Sequence, residues 1–127
     1  MTYAYIVAGA VFGAPLRYFL QERIQLSMSS TFPFGTVVVN VTGCFVIGLL
    51  LALAEERSWL SREARLMLVT GFLGSYTTFS TFGWETYALL RDNDLLRAGW
   101  YVGLSVVVGL FGVWLGTLAA RLIDAAA

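Results

Sequence analysis

A chain of 127 residues that is 58% hydrophobic and 13% charged, with no net charge and a mean hydropathy of +0.76, cannot surround a core with the charged shell of a soluble domain, where about a quarter of residues are charged. It has no histidine and one cysteine, which removes the commonest general base and metal ligand and leaves no second thiol in the chain for a disulfide or a thiolate site.

Charge is distributed in gaps. Met1–Leu16 carries none, and neither does the interval between Arg23 and Glu55, nor Leu66–Trp84, nor Ala98–Ala120. About 20 apolar residues cross a hydrocarbon core as a helix, and four stretches meet or approach that length. The predicted fold is therefore an all-α membrane protein, a single domain over residues 1–127 with spans at about 3–25, 34–55, 62–91 and 94–123. No basic segment precedes the first apolar run and no small-residue cleavage site follows it, so that run is expected to remain as a span.

Helix one is read as Tyr3 to Gln25, and the Ser/Thr/Pro cluster Ser27–Pro33 as its connection to helix two, Phe34 to Glu55. Ser61 reads as the N-cap of helix three, with Glu63 and Ala64 in its first turn. Helix three runs to about Arg91, Asp92-Asn93-Asp94 turns the chain, and helix four continues to Ile123.

Helix three carries an anomaly. Gly71-Phe-Leu-Gly-Ser-Tyr-Thr-Thr-Phe-Ser-Thr-Phe-Gly83 is rich in poor helix formers. An unpaired backbone group in hydrocarbon costs several kcal/mol, so irregular backbone survives at mid-membrane depth only against protein or a polar cavity. Broken helices of this kind often bind ions. A non-helical break is expected near Gly74 to Thr78. The pairs Gly9/Gly13, Gly99/Gly103 and Gly112/Gly116 have the four-residue spacing of close helix packing. Tyr3, Tyr5, Trp59 and Trp100 lie near predicted span ends, as interfacial aromatics do.

Basic residues barely distinguish the two sides. Arg57, Arg62, Arg65 and Arg121 lie near span ends on the side of the termini, and Arg23, Arg91 and Arg97 on the other. So weak a bias predicts insertion in both orientations, and two inverted copies would then pair as an antiparallel homodimer. One short subunit has few helices with which to enclose a pore, which also points to an oligomer.

Polar residues inside spans need a reason. Asn40 lies within Val-Val-Val-Asn-Val, one turn after Thr36. It reads equally as an interhelical hydrogen bond or as a donor for an ion. Tyr101 and Ser105 are four apart, with Gly109 continuing the line; that stripe is either packing or, opposite Thr36 and Asn40, a track of donors for an anion. Phe79 and Phe82 share a helix face. They are either core or a pair of rings whose electropositive edges meet an anion. Arg17 follows Pro15 and either snorkels to water or raises anion concentration in a vestibule. Glu85 lies one or two turns below the surface, where a carboxylate beside an anion path needs local hydrogen bonds.

Gly71-Phe-Leu-Gly-Ser-Tyr-Thr-Thr-Phe-Ser-Thr-Phe-Gly-Trp-Glu85 resembles the helix-three signature of the Fluc (CrcB) fluoride channels. Gly13-Ala-Pro-Leu-Arg-Tyr18, Phe34-Gly-Thr36 with Val39-Asn-Val-Thr-Gly43, and the glycine-rich fourth span are similar to that family too. The resemblance implies a dual-topology antiparallel homodimer in the bacterial inner membrane, with two pores carrying fluoride passively. It implies a structural sodium ion at the dimer centre, held by backbone carbonyls of Gly74 and Thr77, and no organic cofactor. Phe79, Phe82 and Asn40 would line the fluoride path, Ser80 and Thr81 would offer hydroxyls, and Thr36, Tyr101 and Ser105 would form a polar track. A proton-coupled small multidrug exporter also has four spans and dual topology, but it needs a membrane-embedded carboxylate on helix one, where the only acid is Glu22 at the span's end. An intramembrane enzyme would find no Ser–His pair, and Asp92, Asp94 and Asp124 all lie at span ends. Neither nucleic acid nor nucleotide binding is indicated.

Overall fold

The computed structural model describes residues 1–57 and 59–126, apart from the side chains of residues 56 and 57; Arg57, counted above among the span-end cations, falls outside that description. The described chain is helical: α1 (Thr2–Met28), α2 (Phe34–Arg57), α3 (Arg62–Arg65) leading directly into a π-helical segment (Leu66–Leu73), α4 (Gly74–Tyr76), α5 (Phe79–Arg91) and α6 (Leu95–Ala126). Three helices are long and apolar enough to cross a membrane, over Thr2–Met28, Phe34–Glu55 and Leu95–Ala126.

The connections follow from local chemistry. Ser29 ends α1 in the left-handed conformation (φ 46°). The Gln25 amide then ties down the loop, donating to the carbonyls of Ser30 and Phe32 and accepting from the Gly35 N–H. Ser61 Oγ accepts from the Ala64 N–H at 3.1 Å, so α3 begins on the expected N-cap. After α5, Asn93 is left-handed (φ 58°), and the Asp94 N–H reaches back to the Leu89 carbonyl at 2.9 Å. This pattern is the Schellman closure that asparagine tolerates better than most residues.

The helices associate mainly as two pairs, α2 with α6 and α1 with the π-helical segment. Both depend on backbone contact. A Cβ on Gly9 would overlap the Met67 carbonyl oxygen, and one on Gly116 would overlap that of Phe45. The predicted packing role holds for Gly9, Gly13, Gly112 and Gly116. It does not hold within the chain for Gly99 and Gly103, whose Cβ positions meet nothing within 4 Å. The π-helical turn over Leu66–Leu73 departs from the α-helix expected there; the Gly74 N–H accordingly reaches the Val69 carbonyl, five residues back.

A small core of Val39, Leu73 and Tyr76 holds the helices at their centre. Large apolar side chains point outward instead, among them Val11, Phe12 and Phe19 of α1 and Val107, Leu110 and Phe111 of α6. In water this surface would aggregate; in hydrocarbon it is simply solvated.

Replacing Gly9 with Ala is expected to destabilise the fold by about 1–3 kcal/mol, the usual cost of forcing extra volume into a filled contact. Gly103→Ala is expected to leave the subunit's own packing unchanged. Thermal unfolding of the two variants in one detergent makes the comparison.

Candidate functional site

The site is built around an interruption in the helical run. Tyr76 ends α4, Thr77 (φ −85°, ψ 161°) and Thr78 (φ −148°, ψ 111°) are extended, and α5 begins at Phe79. The expected non-helical interval of 74–78 thus narrows to two threonines, because Gly74–Tyr76 complete one more α turn. Two helix ends meet here, and each leaves backbone groups to be satisfied.

Most of them have identifiable partners. The Thr77 N–H and its hydroxyl both donate to the Leu73 carbonyl, each at 3.0 Å. Arg17 Nε donates to the Ser75 carbonyl at 3.2 Å, placing a cation at the negative end of the helix that stops there. On the other side, Thr78 Oγ accepts from the Thr81 N–H at 3.2 Å and donates to Thr81 Oγ at 2.9 Å, as an N-cap of α5. Asn40 of α2 spans the gap. Its Oδ1 accepts from the Thr78 N–H at 2.8 Å, and its Nδ2 donates to the Thr78 carbonyl at 3.1 Å. The side-chain amide replaces the peptide group that a neighbouring strand would offer. Gly43, three residues further along α2, lacks a side chain where Thr77 Cγ2 presses in. Among the described residues, no hydrogen bond reaches the carbonyls of Gly74 and Thr77.

One turn nearer the loops, all four long helical runs contribute to a second cluster. Thr36 Oγ donates to Glu85 Oε1 at 3.0 Å, and Tyr101 OH donates to Glu85 Oε2 at 2.6 Å. Gln21 Nε2 donates to Thr36 Oγ at 2.7 Å. Thr36 and Tyr101 are 1% and 0% exposed, and the Tyr101 hydroxyl in particular depends on Glu85 for its partner. Glu85 therefore has the local hydrogen bonds that its position demands. Gln21 is the residue the sequence reading missed, although Arg17, Gln21 and Gln25 form a visible polar stripe at four-residue spacing on α1.

Two cavities flank these clusters. One, of about 360 Å³, is lined by Asn40, Gly43, Gly74, Thr77, Thr78, Phe79, Phe82 and Ser105 among others. The other, of about 490 Å³, runs from the loops to Thr36 and Glu85, past Asp92, Asp94 and Arg97. Tyr101 lies between them. Its ring packs 5.1 Å from that of Phe82, which is itself 5.7 Å from Phe79, while its hydroxyl binds Glu85. Ser105 Oγ is buried and has no hydrogen-bond partner. Phe79 is 84% exposed, and Ser80 and Gly74 are exposed too. The first cavity thus brings together Asn40, Phe79, Phe82, Ser105, Gly74 and Thr77. Ser80 and Thr81 line neither cavity, and Arg17 lies under the break as a helix cap.

An all-helical chain with three apolar spans and a polar, irregular segment at its centre defines a multi-pass membrane protein. Residues 4–117 match the family profile described as "CrcB-like protein, Camphor Resistance (CrcB)". The chain is 46% identical over 126 residues to the fluoride-specific ion channel FluC of Solibacter usitatus, covering 95% of this chain and 99% of that one. It is 46% identical over 118 residues to the protein of the same name from Roseiflexus sp., covering 93% and 95%. The corresponding figures for the Chloroflexus aurantiacus protein of that name are 47% over 116 residues, covering 91% and 92%. The chain belongs to the CrcB family.

Asn40→Leu removes both partners of Thr78 while nearly keeping the volume. Each stranded backbone group is expected to cost about 1–3 kcal/mol, and Arg17→Met, which strands only one carbonyl, should cost less. Unfolding midpoints in a common detergent give the order.

Proposed function

We propose that this chain is a fluoride-specific channel that lets the ion leave the cell passively, driven by its gradient and the membrane potential. The names of the relatives support the substrate. The observation that carries the mechanism is Ser105, a residue lining the cavity of Asn40, Phe79 and Phe82, whose buried hydroxyl has no protein partner. A buried polar atom left unpaired is costly, and an anion accepting its proton removes that cost.

Fluoride is small and strongly hydrated, so its path must replace water with close donors. Ser105 offers one. Asn40 offers another, because its Nδ2 has two hydrogens and Thr78 takes only one. The edges of Phe79 and Phe82 supply positive potential without a full charge, which permits entry without trapping the ion. The hydroxyls of Thr36 and Tyr101 already point at Glu85, so fluoride passing that level would have to draw them from the carboxylate. Ser80 and Thr81 lie outside the cavity lining and would offer hydroxyls only to an ion passing beside Phe79 and Phe82.

In this reading the chain has four spans in the bacterial inner membrane, at about 3–25, 34–55, 62–91 and 94–123, and the third is broken at mid-membrane. The working unit is an antiparallel, dual-topology homodimer with two pores. Its support is the open face of one subunit. Phe79 is largely uncovered, and nothing lies within 4 Å of a Cβ at Gly83, Gly99 or Gly103. The carbonyls of Gly74 and Thr77, at the end of a helix and free of hydrogen bonds, suit a sodium ion, which takes hard oxygen donors. A bound sodium would neutralise that negative end where two subunits meet.

Fluoride efflux from reconstituted vesicles, followed with a fluoride electrode and with chloride as control, tests the proposal. Rapid fluoride efflux that needs no pH gradient is expected, with chloride retained. Efflux that requires a pH gradient would favour a proton-coupled exporter. Phe79→Ile and Phe82→Ile are each expected to lower the fluoride rate at least about tenfold, the effect of losing about 1.4 kcal/mol of stabilisation along the path, without loss of the dimer on size exclusion. Unchanged flux in both would remove the aromatic edges from the mechanism.

A further inference from the structure

At the end of the subunit away from the break, a third cleft of about 380 Å³ opens between the last turns of α2 and the start of the third helical run. Its walls are graded. Arg62 and Arg65 lie on the first turn of that run, and one turn further along are Leu66 and Val69; Leu51 of α2 faces them from across the cleft. The helical repeat places Arg62 above Leu66 and Arg65 above Val69. Charge is thus confined to the mouth, and the interior is formed mainly by aliphatic side chains, with Thr70 beside them.

The two guanidiniums are distinctive. Arg17 meets the Ser75 carbonyl, Arg23 the Phe19 ring, Arg91 Asp92, and Arg97 both Asp94 and Thr31. Among the described residues, no hydrogen bond, ion pair or ring contact engages Arg62 or Arg65. The exposed Glu63 between them does not line the cleft. Trp59, half exposed, immediately precedes Leu60 of the cleft wall and is the residue type that favours the depth of lipid headgroups.

We propose that this cleft seats an anionic phospholipid, with Arg62 and Arg65 taking the phosphate and one acyl chain lying along Leu51, Leu66 and Val69. The guanidinium fork matches phosphate oxygens in pairs, and basic pockets between membrane helices hold anionic headgroups in this way. A free phosphate would use the mouth and leave the apolar interior without purpose, so the grading of the walls selects the lipid. The proposal is independent of what the central cavity conducts.

Native mass spectrometry of the purified protein in a neutral detergent, titrated with dioleoyl-phosphatidylglycerol or dioleoyl-phosphatidylcholine, tests it. The phosphatidylglycerol adduct is expected to form at lower lipid concentration than the phosphatidylcholine adduct. In the double variant R62Q/R65Q its apparent affinity should fall about tenfold or more, since two charged hydrogen-bond donors to the phosphate are lost. R91Q, at the opposite end, should bind as the unmodified protein does. Should the double variant fold poorly, R62Q and R65Q taken singly are each expected to show part of the loss. Equal binding of the two lipids, full affinity in the arginine variants, or equal competition by glycerophosphoglycerol, which has the headgroup without the chains, would overturn the proposal.

Discussion

The fold depends on one pairing, that of the Asn40 amide with the backbone of Thr78. A helix interrupted among apolar neighbours exposes peptide groups for which neither water nor the next turn is available. The Asn40 side chain answers both at once, accepting one hydrogen bond and donating the other. Around it, Arg17 closes the end of one half-helix and Thr78 opens the next. The break is therefore a specified structure held from α1, α2 and its own side chains.

The same arrangement explains how polar groups come to face a cavity inside an apolar subunit. With Thr77 and Thr78 extended, the start of α5 is displaced from the line of the preceding helix. Phe79 and Phe82 then come beside Asn40 and Ser105, and Glu85, one turn beyond Phe82, meets Thr36 and Tyr101. Positions four apart on α2 (36 and 40) and α6 (101 and 105), and three apart on α5 (82 and 85), stack these into two levels. The level nearer the loops is fully hydrogen-bonded, whereas the level at the break retains an unpaired hydroxyl at Ser105. That difference gives the two levels different chemistry towards an ion.

Much of this was legible in the sequence. Charge-free intervals located the three long apolar helices, because a charge in hydrocarbon is costly wherever it falls. Ser61 and the Asp92-Asn93-Asp94 turn were readable because caps and turns are local. Asn40 stood out as polar among valines, and Glu85 as an acid that required hydrogen bonds. What could not be read were the partners. The Thr78 backbone lies 38 residues from Asn40 and carries no sequence signal of its own, and the Ser75 carbonyl that takes Arg17 is equally silent. The π-helical turn was also hidden, since side-chain periodicity over eight residues does not separate a reach of four from a reach of five. Gln21 was missed for a different reason: an amide two turns from a helix end looks like an interfacial residue until Thr36 is found beside it.

The packing of α5 has a mechanical corollary. The segments before it are locked against α1 through glycine contacts that leave no room for sliding, yet α5 itself rests chiefly on α6 and is otherwise joined to α2 by side chains, at Asn40 near its root and at Thr36 midway along. A rod fastened at two points to one neighbour and laid against another bends more readily than it translates. In a chain with no partner over Phe79 and Gly83, slow fluctuations should accordingly concentrate in this one leaf, leaving the remaining bundle as its rigid mount.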